Sequence, residues 1–176
     1  PSGAMPNHEA DPMRALRERV TDILVGCGMQ EIVTYPLTSI EALREAVPSE
    51  ALTPLKVANR ITPEQEYMRT TLRPGLLQTL SANEKHEEGG IMLFEVGKVY
   101  LPKEGDLPGE PFVVAGVLCG PRLDRSWHGE SQPLDYFDVK GIVETLLQRL
   151  GVAATFEPGD EESLSRGRAT KILLAG

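Results

Sequence analysis

Met29-Gln-Glu-Ile-Val-Thr-Tyr-Pro-Leu37, entered from an amphipathic segment through Gly26-Cys27-Gly28, is the stretch whose reading decides the fold. Upstream, Met13, Leu16, Val20, Ile23, Leu24 and Cys27 recur at helical spacing and so share one face. Asp11-Pro12 supplies an N-cap followed by a proline at the first helical position, and Gly28 closes the helix. Glu31 to Leu37 then reads as a strand, ending at Pro36, which has no N–H for a ladder. Val33, Tyr35 and Leu37 alternate with Ile32, Thr34 and Pro36, and both sets are largely apolar, as in a strand covered on two sides. The preceding helix has a stripe only about 100° wide, enough for one of those sides. One face is left over as a seam with another subunit; alternation does not say which, so Ile32 and Pro36 on one face and Val33 and Tyr35 on the other are the candidate seam residues.

A chain of 176 residues is long enough for one full hydrophobic core. Its apolar fraction of 40% and charged fraction of 25% are those of an ordinary soluble globular protein. No apolar run approaches the roughly 18 residues that span a bilayer, and no signal peptide opens the chain, so a cytoplasmic protein with no membrane contact is expected. Pro-Ser-Gly-Ala-Met5 reads as a cloning remnant; residues 1–8 carry nothing here, and 9–176 read as one domain. Cys27 and Cys119 lack metal or redox spacing and read as reduced, buried thiols. The net charge of −8 opposes a surface whose main task is gripping a phosphate backbone, because neutralising phosphates supplies most of that affinity. Nucleic acid is expected at an edge at most.

Taken in order, Thr38 or Ser39 caps a short helix, Ile40 to Val47, stopped by Pro48. Thr53-Pro-Leu-Lys-Val-Ala58 reads as a strand and Asn59-Arg-Ile-Thr-Pro63 as a turn. Pro74 starts a helix that runs to about His86, with Leu76, Leu77 and Leu80 on one face and Gly89-Gly90 as its breaker. Ile91 to Tyr100 is the strongest strand, joined by a Gly/Pro-rich loop to a second one, Phe112 to Cys119. Val139, Ile142, Val143, Leu146, Leu147 and Leu150 form a helical stripe, capped by Asp135 or Asp138 in front and Gly151 behind. Ala153–Phe156 and Ile172–Leu174 read as short strands, and the apolar end suggests a chain cut from something longer. Helices set against hairpin-joined strands predict an α+β fold with an antiparallel sheet.

Helix, glycine, then Glu31-Ile-Val-Thr-Tyr-Pro36 resembles motif 1 of the class II aminoacyl-tRNA synthetases, which in those enzymes is a subunit seam. With it stand Met68-Arg-Thr-Thr-Leu-Arg-Pro-Gly-Leu-Leu77 followed by Asn83, Leu93-Phe-Glu-Val-Gly97, and Asp135-Tyr-Phe-Asp-Val-Lys-Gly-Ile-Val-Glu-Thr-Leu-Leu147. In that order and spacing, from about residue 12 to the end, the chain resembles the synthetase-like core of the bacterial phenylalanyl-tRNA synthetase beta subunit. Gly167-Arg-Ala-Thr-Lys-Ile172 fits too, although Ser165-Arg166 stands where the family shows His-Pro. The resemblance implies a class II synthetase-like antiparallel sheet flanked by helices. It further implies a non-catalytic assembly domain packed on the catalytic alpha subunit of a heterotetramer that charges tRNA with phenylalanine. ATP and Mg²⁺ would belong to the whole enzyme, with no cofactor in this fragment.

Adenylate-forming sites need an arginine for the ATP α-phosphate with a carboxylate two residues on, and a second arginine for the γ-phosphate, to stabilise charge at phosphorus beside Mg²⁺. At the places that match, this chain has Arg69-Thr70-Thr71, with no acid, and Val139-Lys140-Gly141-Ile142, with one glycine and no Gly-x-Glu-Arg. No catalytic residue is therefore assigned. His8, His86 and His128 are too scattered to ligate a metal. Glu84, Glu87 and Glu88 read as an exposed helix end, Asp135 and Asp138 as caps, and Trp127-His128 as loop packing ahead of stacking on a base or partner. Glu95, mid-strand between Phe94 and Val96, is the carboxylate expected to be buried in a structural ion pair with Arg69 or Arg73. The alternatives are a free-standing ATP-dependent ligase, opposed by the missing arginines, and a stand-alone interaction module of the same fold, opposed by the apolar C-terminal end.

Overall fold

The computed structural model describes residues 11–47, 53–103, 105–123, 127, 132–161, 164–165 and 167–174. The expectations for residues 1–8, His8, Pro48, His128 and Arg166 lie outside these. Helix α1 (Pro12–Gly26) begins as its sequence dictates: the Asp11 carboxylate accepts the Met13 N–H, and Pro12 occupies the first turn. Gly28, at φ +87°, turns the chain out of the helix in a conformation that side chains rarely adopt.

The stretch Glu31 to Leu37 is not one strand. It divides into β1 (Gln30–Glu31) and β2 (Leu37–Thr38), which lie in different sheets. Pro36 cannot donate to a ladder, and the chain uses the span 32–36 to cross from one sheet to the other. Strand β1 pairs parallel with β4 (Ile91–Lys98), whereas β4 pairs antiparallel with β5 (Phe112–Cys119) over all eight residues. The central sheet, in order β1-β4-β5, is therefore mixed rather than purely antiparallel. Strand β2 pairs antiparallel with β3 (Tyr67–Met68). The strand expected at Thr53–Ala58 reduces to a single antiparallel bridge, Lys56 to Tyr67. Between these lie α2 (Ile40–Ala46), capped by the Ser39 hydroxyl, and a 3₁₀ turn, Pro63–Gln65.

Helix α3 (Arg73–Asn83) stops three residues short of His86, and the Asn83 carbonyl accepts the N–H groups of His86 and Glu87. Helix α4 (Tyr136–Leu150) ends at Gly151 in the left-handed region, φ +75°. The tail forms a hairpin of its own, β6 (Ala154–Gly159) against β7 (Ala169–Leu174), longer than the two short strands expected.

The period-2 alternation of β4 builds the core on both faces of the sheet. Phe94 faces Ile23, Leu24, Met29 and Leu146, under α1 and α4. Ile91, Leu93 and Val99 face Leu72 and Leu76, under the start of α3. Among the described residues no helix is long and apolar enough to cross a membrane.

Both acids expected to cap α4 do so, as a capping box: the Asp135 side chain accepts the Asp138 N–H while the Asp138 side chain accepts the Asp135 N–H. Arg122 adds an ion pair to Asp138 at 3.0 Å. Its hydrogen bond, and then the Asp135 N–H, hold the Asp138 carboxyl below the usual carboxylate range. A carboxyl depressed on folding stabilises the fold above its unfolded value and ceases to do so as pH falls through the depressed one. Asp138→Asn is expected to lower the thermal midpoint at neutral pH. The difference from wild type should shrink as pH falls below about 4. A difference unchanged down to strongly acid pH would show that the capping pair is not the source.

Candidate functional site

The span 32–36 runs over the sheet edge with its two sides in different surroundings. Ile32 is half-buried and packs on the cluster around Leu72 and Leu93. Val33 and Tyr35 are 89% and 78% exposed, and Pro36 is exposed as well. Of the four residues expected at a seam, Val33, Tyr35 and Pro36 thus lie open, while Ile32 belongs to the core.

Beneath Thr34 sits the buried charge of the domain. Arg69 Nη1 donates to Glu95 Oε1 at 2.7 Å, with the side chains 9% and 2% exposed. Arg69 Nε donates to the Lys98 carbonyl at 2.9 Å, and the Thr34 hydroxyl donates to Glu95 Oε2 at 2.7 Å. Arg73, the other cation considered for Glu95, instead pairs with Glu161 at 2.9 Å. The reason is local: Arg73 opens α3 and turns outward past the Ala46 carbonyl, whereas Arg69 precedes the helix and lies along β4.

Two glycines make this packing possible. A Cβ on Gly97 would collide with the Arg69 guanidinium, and one on Gly75 would come within 2.5 Å of Thr34 Oγ1. A glycine inside the strongest strand is itself a sequence signal of close approach, and Gly97 could have been read that way. Thr34, standing between the two exposed side chains, was missed as an anchor because alternation alone assigns it merely to a face.

A cleft of about 510 Å³ opens beside Tyr35, lined among others by Thr34, Glu64, Arg69, Gln78 and Thr79. Its arginine is already neutralised by Glu95. The Glu64 carboxyl is held below its ordinary range by its own backbone N–H and then by the Thr62 hydroxyl, so it contributes a negative charge. At the second matching place, Lys140 lies within α4, 3.5 Å from Glu144 and over the Phe156 ring. Cys27 and Cys119 are free thiols; burial, then the Glu84 contact, push the Cys119 thiol up. Among the described residues, no three His, Cys, Asp or Glu side chains gather as a metal site would need.

The family described as phenylalanyl tRNA synthetase beta chain CLM domain matches residues 1–176. The chain belongs to this family. Phenylalanine–tRNA ligase beta subunit of Dehalococcoides mccartyi is 38% identical over 171 residues, 97% of this chain and 21% of that protein. The beta subunit of Bacillus cereus is 36% identical over 181 residues, covering 100% of this chain and 22% of its own length. The CLM domain described here thus spans about a fifth of the curated relatives it matches. In fold it is similar to the pyrrolysyl tRNA synthetase of Desulfitobacterium hafniense, with a TM-score of 0.65 at 14% identity over 92% of this chain and 52% of that one. The mixed sheet with helices on both faces is accordingly a class II aminoacyl-tRNA synthetase fold, as the motif order implied.

Proposed function

We propose that this CLM domain is a non-catalytic assembly core of phenylalanine–tRNA ligase, through which the beta subunit packs on the alpha subunit. The observation that carries the proposal is the fate of Arg69. The arginine standing where a phosphate clamp would be sought is buried and bonded to Glu95, Thr34 and Lys98, so it has no charge free for ATP. Arg69 borders the cleft, but to serve an α-phosphate it would have to give up Glu95, leaving a buried unpaired carboxylate. Among the large apolar side chains the domain presents outward, Val33 and Tyr35 lie on the stretch that resembles a subunit seam. Charging of tRNA with phenylalanine, with its ATP and Mg²⁺, then belongs to the alpha subunit within a cytoplasmic heterotetramer. The charge of −8 supports peripheral tRNA contact at most.

Two measurements test this. The isolated chain is expected to give no phenylalanine-dependent exchange of pyrophosphate into ATP, and to co-purify with the alpha subunit when the two are expressed together. Exchange above a no-enzyme control that survives repurification would instead support the free-standing ligase.

A further inference from the structure

We infer that Thr34, gripped by the buried Arg69–Glu95 pair, presets the exposed segment so that Val33 and Tyr35 are offered to a partner in a fixed geometry. The inference rests on the seam reading above and adds which residues set the seam's shape. The backbone of this segment is tethered at its ends, where the Ile32 N–H reaches the Phe94 carbonyl at 2.8 Å and the Pro36 carbonyl accepts the Arg69 N–H at 2.9 Å. At the middle of the span the Thr34 carbonyl accepts a long bond from Arg69 Nη1 at 3.4 Å, and the Thr34 side chain makes the shorter contacts. Its hydroxyl donates to Glu95 Oε2 at 2.7 Å and accepts from Arg69 Nη1 at 2.9 Å, so it is held from both sides of the ion pair.

Arg69 cannot drift with the segment, because its Nε is fixed to the Lys98 carbonyl of the central strand at 2.9 Å. On the other side the Thr34 side chain rests on the bare backbone of Gly75 in α3. The central strand, the helix and the chain before the helix therefore converge on one hydroxyl. The residues on either side of it are the two exposed apolar ones. A surface ordered in advance loses less conformational freedom on association than a mobile one, and so binds more tightly for the same contacts. The partner that suits it is a folded subunit with a complementary apolar face. The partner taken is the alpha subunit, because the relatives this chain matches are beta subunits of a ligase.

The alpha subunit titrated onto this chain is the test. Thr34→Val, which keeps the shape and removes the hydroxyl, is expected to weaken binding about tenfold, while Thr34→Ser stays within about threefold of wild type. Leu146→Ala, a core truncation under α4, should lower the unfolding midpoint yet leave the affinity unchanged. Wild-type affinity in Thr34→Val, together with loss of binding in Tyr35→Asp, would leave the seam standing and overturn the preset. Wild-type affinity in Tyr35→Asp would overturn both. A tenfold loss in Thr34→Ser as well would move the effect to methyl packing and overturn the role of the hydroxyl. A second reading needs no variant at all. Backbone order parameters at residues 33–35 of the free chain are expected near the rigid value of about 0.85, and values below about 0.6 would overturn the inference even if Thr34→Val failed to fold.

Discussion

Glu95→Ala is expected to destabilise the domain by about 3–5 kcal/mol, a large share of the total stability of a domain of this size. The substitution removes the acceptor for the Arg69 guanidinium at 2.7 Å and for the Thr34 hydroxyl at 2.7 Å, at a carboxylate that is itself 1% exposed. A buried cation is then left without its counter-charge, which costs far more than the net worth of the pair. Glu87→Ala, on the exposed end after α3, is expected to change stability by less than about 0.5 kcal/mol. Urea unfolding of the three proteins, with slopes compared as well as midpoints, measures both. Replacing the pair together by apolar residues of similar volume should recover much of the loss, because the penalty lies in the orphaned charge. Equal, small effects of the Glu95 and Glu87 substitutions would show that the pair is not the structural centre of the domain.

What the sequence could and could not disclose follows from how local each determinant is. Strand β5 was legible to the residue, because eight uncharged, largely β-branched or small residues are bounded by Pro111 and Gly120. The limits of α4 were legible for the same kind of reason: Asp135 and Gly151 fix its ends through their own backbone contacts. Burial of Glu95 could be read from its apolar neighbours on β4, but the choice of cation could not. Arg69 and Arg73 are one helical turn apart in sequence, and only the start of α3 between them decides which faces the strand. The division of residues 31–37 was hidden for a related reason. An extended chain looks the same whether it pairs with one strand or crosses between two, and the partners of β1 and β2 lie dozens of residues away. The parallel pairing of β1 with β4 is a fact of topology, on which side-chain alternation is silent.

The same division sets two neighbouring residues in opposite surroundings. Ile32 and Val33 are adjacent and nearly equal in chemistry, yet Ile32 packs on the cluster around Leu72 while Val33 is 89% exposed. Ile32→Asp places a carboxylate against Leu72, Leu76 and Leu93, with no counter-charge of its own, and is expected to cost on the order of 3 kcal/mol. Val33→Asp meets water in the free chain and is expected to leave the unfolding midpoint within about 1 °C of wild type. Against the alpha subunit the order reverses. A charge at the centre of an apolar seam has to be desolvated, and Val33→Asp should abolish co-purification while the chain stays folded. Thermal unfolding and co-purification, run on both variants, separate a core face from a docking face one residue apart. If Val33→Asp unfolds the chain, residue 33 is core. If it folds and still binds the alpha subunit as wild type does, the seam lies elsewhere on the domain.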